Sequence, residues 1–269
     1  MKQSIKGAGS LSRKLTAILL SAAMLITGAT LAADNSIYID QAGDNATVTM
    51  IQDGSGNAVR GLPGVGTTNQ TPATIYGDGN QVSVSQVGSG NTLKLGIKTD
   101  TSVGQSTVNY SVTGQNASAI IQVGNSQTNS TANTINVTQS GNGAVALVKS
   151  IGAGNTGTIN TTGGANNSVN LGMAGDNITG TATVTGGGAN AISLDLQSPG
   201  GTATVTAAGA SNTVSVLQTG GVTGHQSTVE LTGSGNTVGI MQQGTAGDNA
   251  INLKSAGNTN TFSINQNNR

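Results

Sequence analysis

The chain has 269 residues, of which only 7% are charged and 1% aromatic, whereas an ordinary soluble domain carries about 25% charged residues. This composition excludes a conventional core of large aromatic side chains, and the lack of cysteine excludes a fold held together by disulfides. Four of the ten basic residues lie near the amino terminus, so the rest of the chain carries a net charge of 6 − 10 = −4, which disfavours binding to nucleic acid or to an anionic membrane.

The first segment, residues 1–32, has the organisation of a secretory signal peptide. Its apolar stretch, residues 15–28, is too short and too close to a basic flank for a stable membrane span. The basic residues before and at this flank are Lys2, Lys6, Arg13 and Lys14. We predict cleavage after Ala32, with Ala33 nearly as suitable. The sequence therefore predicts export, no membrane span in the mature chain, and one repeat domain over residues 33–269.

From residue 33 onward the dominant pattern is that of β-strands. In the stretch 80–91 (NQVSVSQVGSGN), Val82, Val84 and Gln86 share one parity, so in a strand they lie on one face. Asn80 stands two positions before the first of them, and glycines follow the glutamine. Six further segments repeat this triplet: Ile37-Ile39-Gln41, Val48-Met50-Gln52, Ile135-Val137-Gln139, Val214-Val216-Gln218, Val238-Ile240-Gln242 and Phe262-Ile264-Gln266.

The repeat has a longer period as well. Asn35 and Asn57 are 22 positions apart, and Asn57 and Asn80 are 23 apart. Each such unit holds two strands, separated by turns rich in Gly, Asn and Asp, which adopt positive φ at low cost. The sequence therefore predicts an all-β fold: a two-sided β-solenoid of roughly ten stacked strand–turn–strand repeats of about 22 residues, with no helix after the signal peptide.

Four irregular segments interrupt the period. They are residues 58–75, 97–107, 198–201 and 219–227. Each stands between good strand patterns, so we predict that they are loops on the edge of one continuous domain.

Stacked repeats would place identical side chains in rows along the solenoid. A glutamine on the inward face is costly to bury unless its amide donates to one rung and accepts from another. The glutamines predicted to form this ladder and to take part in self-assembly are Gln41, Gln52, Gln86, Gln139, Gln218, Gln242 and Gln266. The asparagines predicted to stack with them are Asn35, Asn45, Asn57, Asn80, Asn91, Asn142, Asn212 and Asn236.

The sequence does not indicate a catalytic or cofactor site. His225 is the only histidine and stands in a Gly/Thr/Gln-rich segment, which predicts a solvated loop side chain. Asp44, Asp176 and Asp248 stand in Gly-Asp-Asn turns, where turn chemistry accounts for them. Residues 152–157 fit GxGxxG without a following helix pattern, so we predict a repeat turn there. We expect no enzymatic activity, no cofactor and no bound metal.

The repeats resemble those of the curlin repeat family, subunits of curli-type functional amyloid with an approximate motif S-x5-Q-x-G-x-G-N. Residues 52–57 (QDGSGN) and 86–91 (QVGSGN) match the second half of the motif closely, and residues 139–142 are a shortened form. The resemblance covers most of residues 35–266 and is weaker between residues 144 and 210. It implies two strands per repeat, passage through the periplasm and an outer-membrane export machinery, and assembly at the cell surface into extracellular β-fibres of the biofilm matrix.

We therefore expect a secreted, self-assembling fibre subunit whose partners are copies of itself and a nucleator or companion fibre subunit. Two alternatives remain open. Threonine-rich segments such as residues 181–185 and 202–206 are compatible with an ice-binding surface, although equivalent positions elsewhere are Ser, Asn or Lys. The second alternative is a finite rod that serves as an adhesin or stalk. A polysaccharide-hydrolysing β-helix is disfavoured because paired carboxylates and aromatic platforms are lacking.

Overall fold

The computed structural model describes residues 34–62, 71–99, 105–124 and 132–268. The predicted signal segment and its cleavage site lie outside the described residues. Within these ranges the chain forms 21 β-strands and no helix. The described residues accordingly contain no helix long and apolar enough to cross a membrane.

The strands form two sheets, in which neighbouring strands are parallel throughout. Sheet A consists of β1 (Ser36–Ile37), β2 (Ile39–Ala42), β4 (Ala58–Arg60), β5 (Ala73–Tyr76), β7 (Thr92–Lys98), β9 (Ser118–Gly124), β11 (Val145–Ile151), β13 (Ser168–Ala174), β15 (Ala191–Gln197), β17 (Thr213–Gly220), β19 (Thr237–Gly244) and β21 (Thr261–Asn268). Sheet B consists of β3 (Thr47–Ser55), β6 (Gln81–Ser89), β8 (Thr107–Gln115), β10 (Thr134–Ser140), β12 (Thr156–Thr162), β14 (Thr179–Thr185), β16 (Thr202–Ala208), β18 (Gln226–Thr232) and β20 (Ala250–Ala256).

From β6 onward, successive strands alternate between the sheets, so each turn of the chain adds one strand to each sheet. β1 and β2 share one level of sheet A, and so do β4 and β5, because β1 pairs with β4, β2 pairs with β5, and β4 and β5 both pair with β7. Sheet A thus has ten levels and sheet B has nine strands. The prediction of an all-β, two-sided solenoid is confirmed.

The core is a thin strip between the sheets, because alternate residues of each strand point inward. Val82 and Val84 are 3% and 1% exposed, which confirms the predicted parity. In β11 the inward residues are small, Ala146, Val148 and Ser150, and all three are buried. Burial of one Val, Leu or Ile side chain stabilises a fold by about 1.5–3 kcal/mol, so a strip of such residues holds the sheets together with few aromatic side chains.

The turns stack as closely as the strands do. Gly88 has a φ of 112°, and a Cβ built on it would lie 1.9 Å from the carbonyl oxygen of Gly114 in the next turn. Glycine is required there because a side chain would separate the two turns.

Three of the four predicted loops are shorter than predicted, and one of them is the segment 219–227, whose ends belong to β17 and β18. β4 and β5 overlap the segment 58–75, so its two ends, residues 58–60 and 73–75, belong to strands of sheet A. The segment 97–107 likewise loses its ends to β7 and β8. In the segment 198–201, the amide of Gly201 donates to the carbonyl of Ser198 at 2.8 Å, which closes a tight turn.

Candidate functional site

Buried asparagines stand at the corner where the chain enters many of the strands. Asn57 is fully buried, and its Oδ1 accepts a hydrogen bond from the backbone amide of Asn91 at 3.1 Å. Its Nδ2 donates to the carbonyl of Gly88 at 2.9 Å. The side-chain amide of Asn57 therefore satisfies an N–H and a C=O of the neighbouring rung, and these hydrogen bonds offset the cost of burying it.

These contacts repeat as two asparagine rows along the entrance to sheet A. The first row contains Asn35, Asn57 and Asn91, and Ala117 and Ala144 follow it at the equivalent corners. The second row contains Asn167, Asn190, Asn212, Asn236 and Asn260, joined by amide-to-Oδ1 bonds of 2.9–3.1 Å.

The remaining predicted asparagines lie elsewhere. Asn80 is buried at the entrance to sheet B, where its Oδ1 accepts from the amide of Ser106 at 3.1 Å. Asn45 and Asn142 are exposed turn residues outside the buried rows. Asn167, Asn190 and Asn260 were not predicted, although they obey the same rule as Asn80: each stands two positions before the first inward residue of a strand.

Glutamines form two separate rows. In sheet B, Nε2 of Gln52 donates to Oε1 of Gln86 at 2.7 Å. In sheet A, Nε2 of Gln218 donates to Oε1 of Gln242 at 2.9 Å, and Nε2 of Gln242 donates to Oε1 of Gln266 at 3.2 Å. Both rows have one polarity, with each Nε2 directed toward the next rung in chain order.

The predicted ladder is not continuous between these rows. Gln139 lies between Val112 and Thr161 in the register of sheet B, and its Oε1 is buried without a partner. Gln41 lies against Ile75, and its Nε2 donates to the carbonyl of Gly43 at 2.8 Å. The glutamine rows therefore occupy opposite ends of the solenoid, in opposite sheets.

His225 is not a solvated loop side chain, as its sequence context suggested, but is fully buried. Its Nδ1 accepts from the amide of Asn249 at 3.0 Å, as Oδ1 of an asparagine does elsewhere in the fold. Its Nε2 lies 3.0 Å from the carbonyl oxygen of Thr219, which assigns the proton to Nε2. His225 therefore takes an asparagine position at the entrance to β18.

The turn aspartates accept hydrogen bonds from the preceding turn. Oδ1 of Asp78 accepts from the amide of Asp44 at 2.6 Å, and Oδ1 of Asp176 accepts from the amide of Ala153 at 2.8 Å. The carboxylate of Asp248 accepts from the Thr223 hydroxyl and from three backbone amides of residues 222–224, and these bonds hold its pKa well below the ordinary value. Turn architecture thus accounts for these carboxylates.

The described part of the chain also shows where the other candidate groups lie. No group of three His, Asp or Glu side chains there is placed to hold a metal ion. The GxGxxG segment leads into β12, a strand, and its backbone stacks against the turn at Gly175. Burial raises the pKa of the Tyr110 phenol, the largest fully buried side chain, which packs in the core between Val84 and Val137 of the neighbouring strands.

Threonines form outward rows on sheet B. The register aligns one row at the first position of consecutive strands: Thr107, Thr134, Thr156, Thr179 and Thr202. A second row, two residues further along, contains Thr158, Thr181, Thr204 and Thr228. The outward positions further along these strands are less regular, with Asn160 in β12 and Ala208 in β16.

The two ends of the solenoid leave core side chains partly exposed. Among the described residues, the apolar side chains that pack on the core and stay only partly buried are Ile37, Val48, Met50, Leu253, Phe262 and Ile264. All six belong to the first or last strands of the two sheets. Each of these terminal strands has a ladder partner on one side only.

Comparison of the chain with models of protein families, with curated proteins and with solved structures finds no match in any of the three.

Proposed function

We propose that the protein is a secreted structural subunit that assembles with copies of itself into amyloid-like extracellular fibres of the curli type, for attachment and biofilm matrix. The observation that carries the proposal is the pair of open ends. The core side chains that remain partly exposed lie in the terminal strands, where another copy of the chain would cover them.

Assembly at these ends would repeat the contacts of the interior. A parallel edge strand presents unpaired N–H and C=O groups, and a further strand adds to it with main-chain hydrogen bonds. In a solenoid each rung contacts only its neighbours, so a junction between two copies can have the same chemistry as a junction within one. The low charge of the chain leaves little repulsion to oppose this.

Electron microscopy and fibre diffraction of the mature chain test the proposal. We expect unbranched fibres with reflections near ~4.7 Å along the fibre and ~10 Å across it. Ile264→Lys would place a charge in the open end and should prevent growth, whereas Ser193→Lys on the outer face of β15 should not. A chain that stays a monodisperse monomer at high concentration and neutral pH would instead favour the finite rod of an adhesin or stalk.

Ice binding is a second candidate, and the threonine rows of sheet B are the observation that favours it. Parallel in-register strands repeat each hydroxyl and methyl at the ~4.8 Å strand spacing, which gives a regular, uncharged array from β12 to β16. Thermal hysteresis of the folded chain, and its loss in Thr181→Lys, would support this function. A wild-type protein that shows no thermal hysteresis would rule out ice binding.

A further inference from the structure

We infer that successive copies stack head to tail with a rotation of half a turn about the solenoid axis, so that sheet B of one copy continues sheet A of the copy before it. The inference rests on the proposed polymerisation and specifies the surface and the register by which a second copy is bound.

The first reason for the rotation is the number of strand levels in the two sheets. Sheet A has ten levels and sheet B has nine strands, so the described chain both begins and ends in sheet A. After β21, the next position along the path lies on β20, in sheet B. The first strands of an added copy, β1 and β2, fill this position, and its β3 then lies on β21. A copy added without rotation would place β1 and β2 on β21 and leave a vacant level above β20.

The second reason for the rotation is the position of the two glutamine rows. Continuing the register of β19 and β21 places Gln52 of the added copy on Gln266, since Gln52 and Gln266 are each the sixth residue of their strands. The three-residue row that ends at Gln266 and the two-residue row that begins at Gln52 then join. Their polarity agrees, because Gln266 accepts from Gln242 through Oε1, which leaves Nε2 to donate to the added copy, and Gln52 donates to Gln86 through Nε2, which leaves Oε1 to accept.

The corner residues give the same result. Rotation places Asn35 of the added copy on Asn249, which follows His225 at the entrance to sheet B. Within one chain, Oδ1 of Asn35 accepts from the amide of Asn57 at 2.9 Å. The amide of Asn35 can donate to Oδ1 of Asn249 in the same way, so the first asparagine row extends into the preceding copy.

The remaining contacts of this junction are compatible. In the rotated register Ile37 of the added copy lies on Ile251, and the exposed Asp40 lies beside Lys254. Nζ of Lys254 is 3.0 Å from Glu230 on its other side. Exposed ion pairs are worth at most about 1 kcal/mol, so this one favours the register more than it stabilises the fibre.

Disulfide trapping tests the register directly, because the chain contains no cysteine of its own. The outward residue Ser263 of β21 lies beside Thr49 of the added copy after rotation, and beside Tyr38 without it. Neighbouring strands are ~4.8 Å apart, which is within the Cα separation a disulfide spans. Ser263→Cys is therefore combined with Thr49→Cys in one chain, and with Tyr38→Cys in the matched control. The two positions of each pair lie at opposite ends of the solenoid, so a bond reports contact between copies.

Mild oxidation of fibres grown from the Ser263→Cys, Thr49→Cys chain should give a covalent ladder of multimers on a denaturing gel. Asn252→Cys with Tyr38→Cys provides a second reporter of the rotated register, on β20, and should give the same ladder. Multimers from the Ser263→Cys, Tyr38→Cys control would overturn the rotation and leave polymerisation intact. Fibres that give no ladder with either rotated pair would overturn it too, whereas a wild-type chain that forms no fibres would remove the proposed function itself.

Discussion

At the scale of single residues, asparagine suits the corners of this fold because its amide carries one acceptor and one donor group directed differently. Oδ1 of Asn212 accepts a hydrogen bond from the backbone amide of Asn236, and Nδ2 of Asn212 donates one to the carbonyl oxygen of Gly233. Aspartate would lack the donor, and alanine would leave both backbone groups of the neighbouring rung unpaired, as buried polar groups that cost about 1–3 kcal/mol each. Ala117 and Ala144 mark the rungs where the fold does without this bridge.

His225 provides a test of this view at one position. His225→Asn should keep an acceptor for the amide of Asn249, so we expect this variant to have a free energy of unfolding close to that of the wild type. His225→Leu removes the acceptor, so we expect a loss of about 1–3 kcal/mol and faster hydrogen exchange at the Asn249 amide. Equal protection of that amide in both variants would show that the ring fills space and does not hold the turn.

At the scale of the repeat element, turns constrain the structure more tightly than strands do. A strand residue of the outer face can change among Thr, Ser, Asn and Lys, as β7 to β12 show. A turn glycine cannot be replaced in this way where the backbone of the next turn lies within contact distance of it. Gly88 and Gly163 separate the two effects, because both have positive φ but only Gly88 faces a neighbouring backbone atom.

Gly88→Ala should therefore cost more stability than Gly163→Ala. A Cβ at residue 88 would meet the Gly114 carbonyl at 1.9 Å, whereas nothing lies within 4 Å of a Cβ at residue 163. The strain of positive φ alone costs about 1 kcal/mol, and the clash adds to it in the first variant only. Thermal unfolding of both variants measures the difference. Matching midpoints would mean that the turns can separate at little cost.

The element scale also shows how far the sequence predicts the structure. Parity placed Val82, Val84 and Gln86 on one inward face, because side chains in a strand alternate whatever the neighbours are. The glutamine rows were predicted less well, since the triplets look alike in both sheets. Gln139 and Gln218 share a motif, yet they lie in different sheets, and strands without glutamine separate them. Register between rungs depends on turn stacking, which the triplet alone does not contain.

His225 shows the same limit from another side. Its neighbours Gly224 and Gln226 suggested an exposed loop, because composition reports only the local environment. The signal that would have placed it correctly was positional: it stands two residues before the inward-facing Ser227, as Asn80 stands before Val82.

At the scale of the whole molecule, the odd total of strand levels, ten in sheet A and nine in sheet B, puts the first and the last strand of the described solenoid in the same sheet. The terminal glutamines belong to opposite sheets, and only a half-turn joins them into one row of five. Within one subunit Gln52 donates to Gln86 and Gln266 accepts from Gln242, and in the rotated junction the other half of each amide gains a partner in the neighbouring copy.

Seeded fibre growth should therefore rank the glutamine variants by their place in the junction. Gln266→Ala and Gln52→Ala each remove a hydrogen bond that forms in every new contact, and a net bond is worth about 0.5–1.5 kcal/mol, so we expect growth several-fold slower than wild type. Gln139→Ala, in the interior and outside either row, should grow at the wild-type rate. Gln41→Ala separates the two registers, because rotation places Gln41 on Ser255 and the unrotated stack places it on Gln266. A Gln41→Ala chain that grows more slowly than Gln52→Ala would contradict the rotated junction, since Gln41 would then be the residue that completes the row.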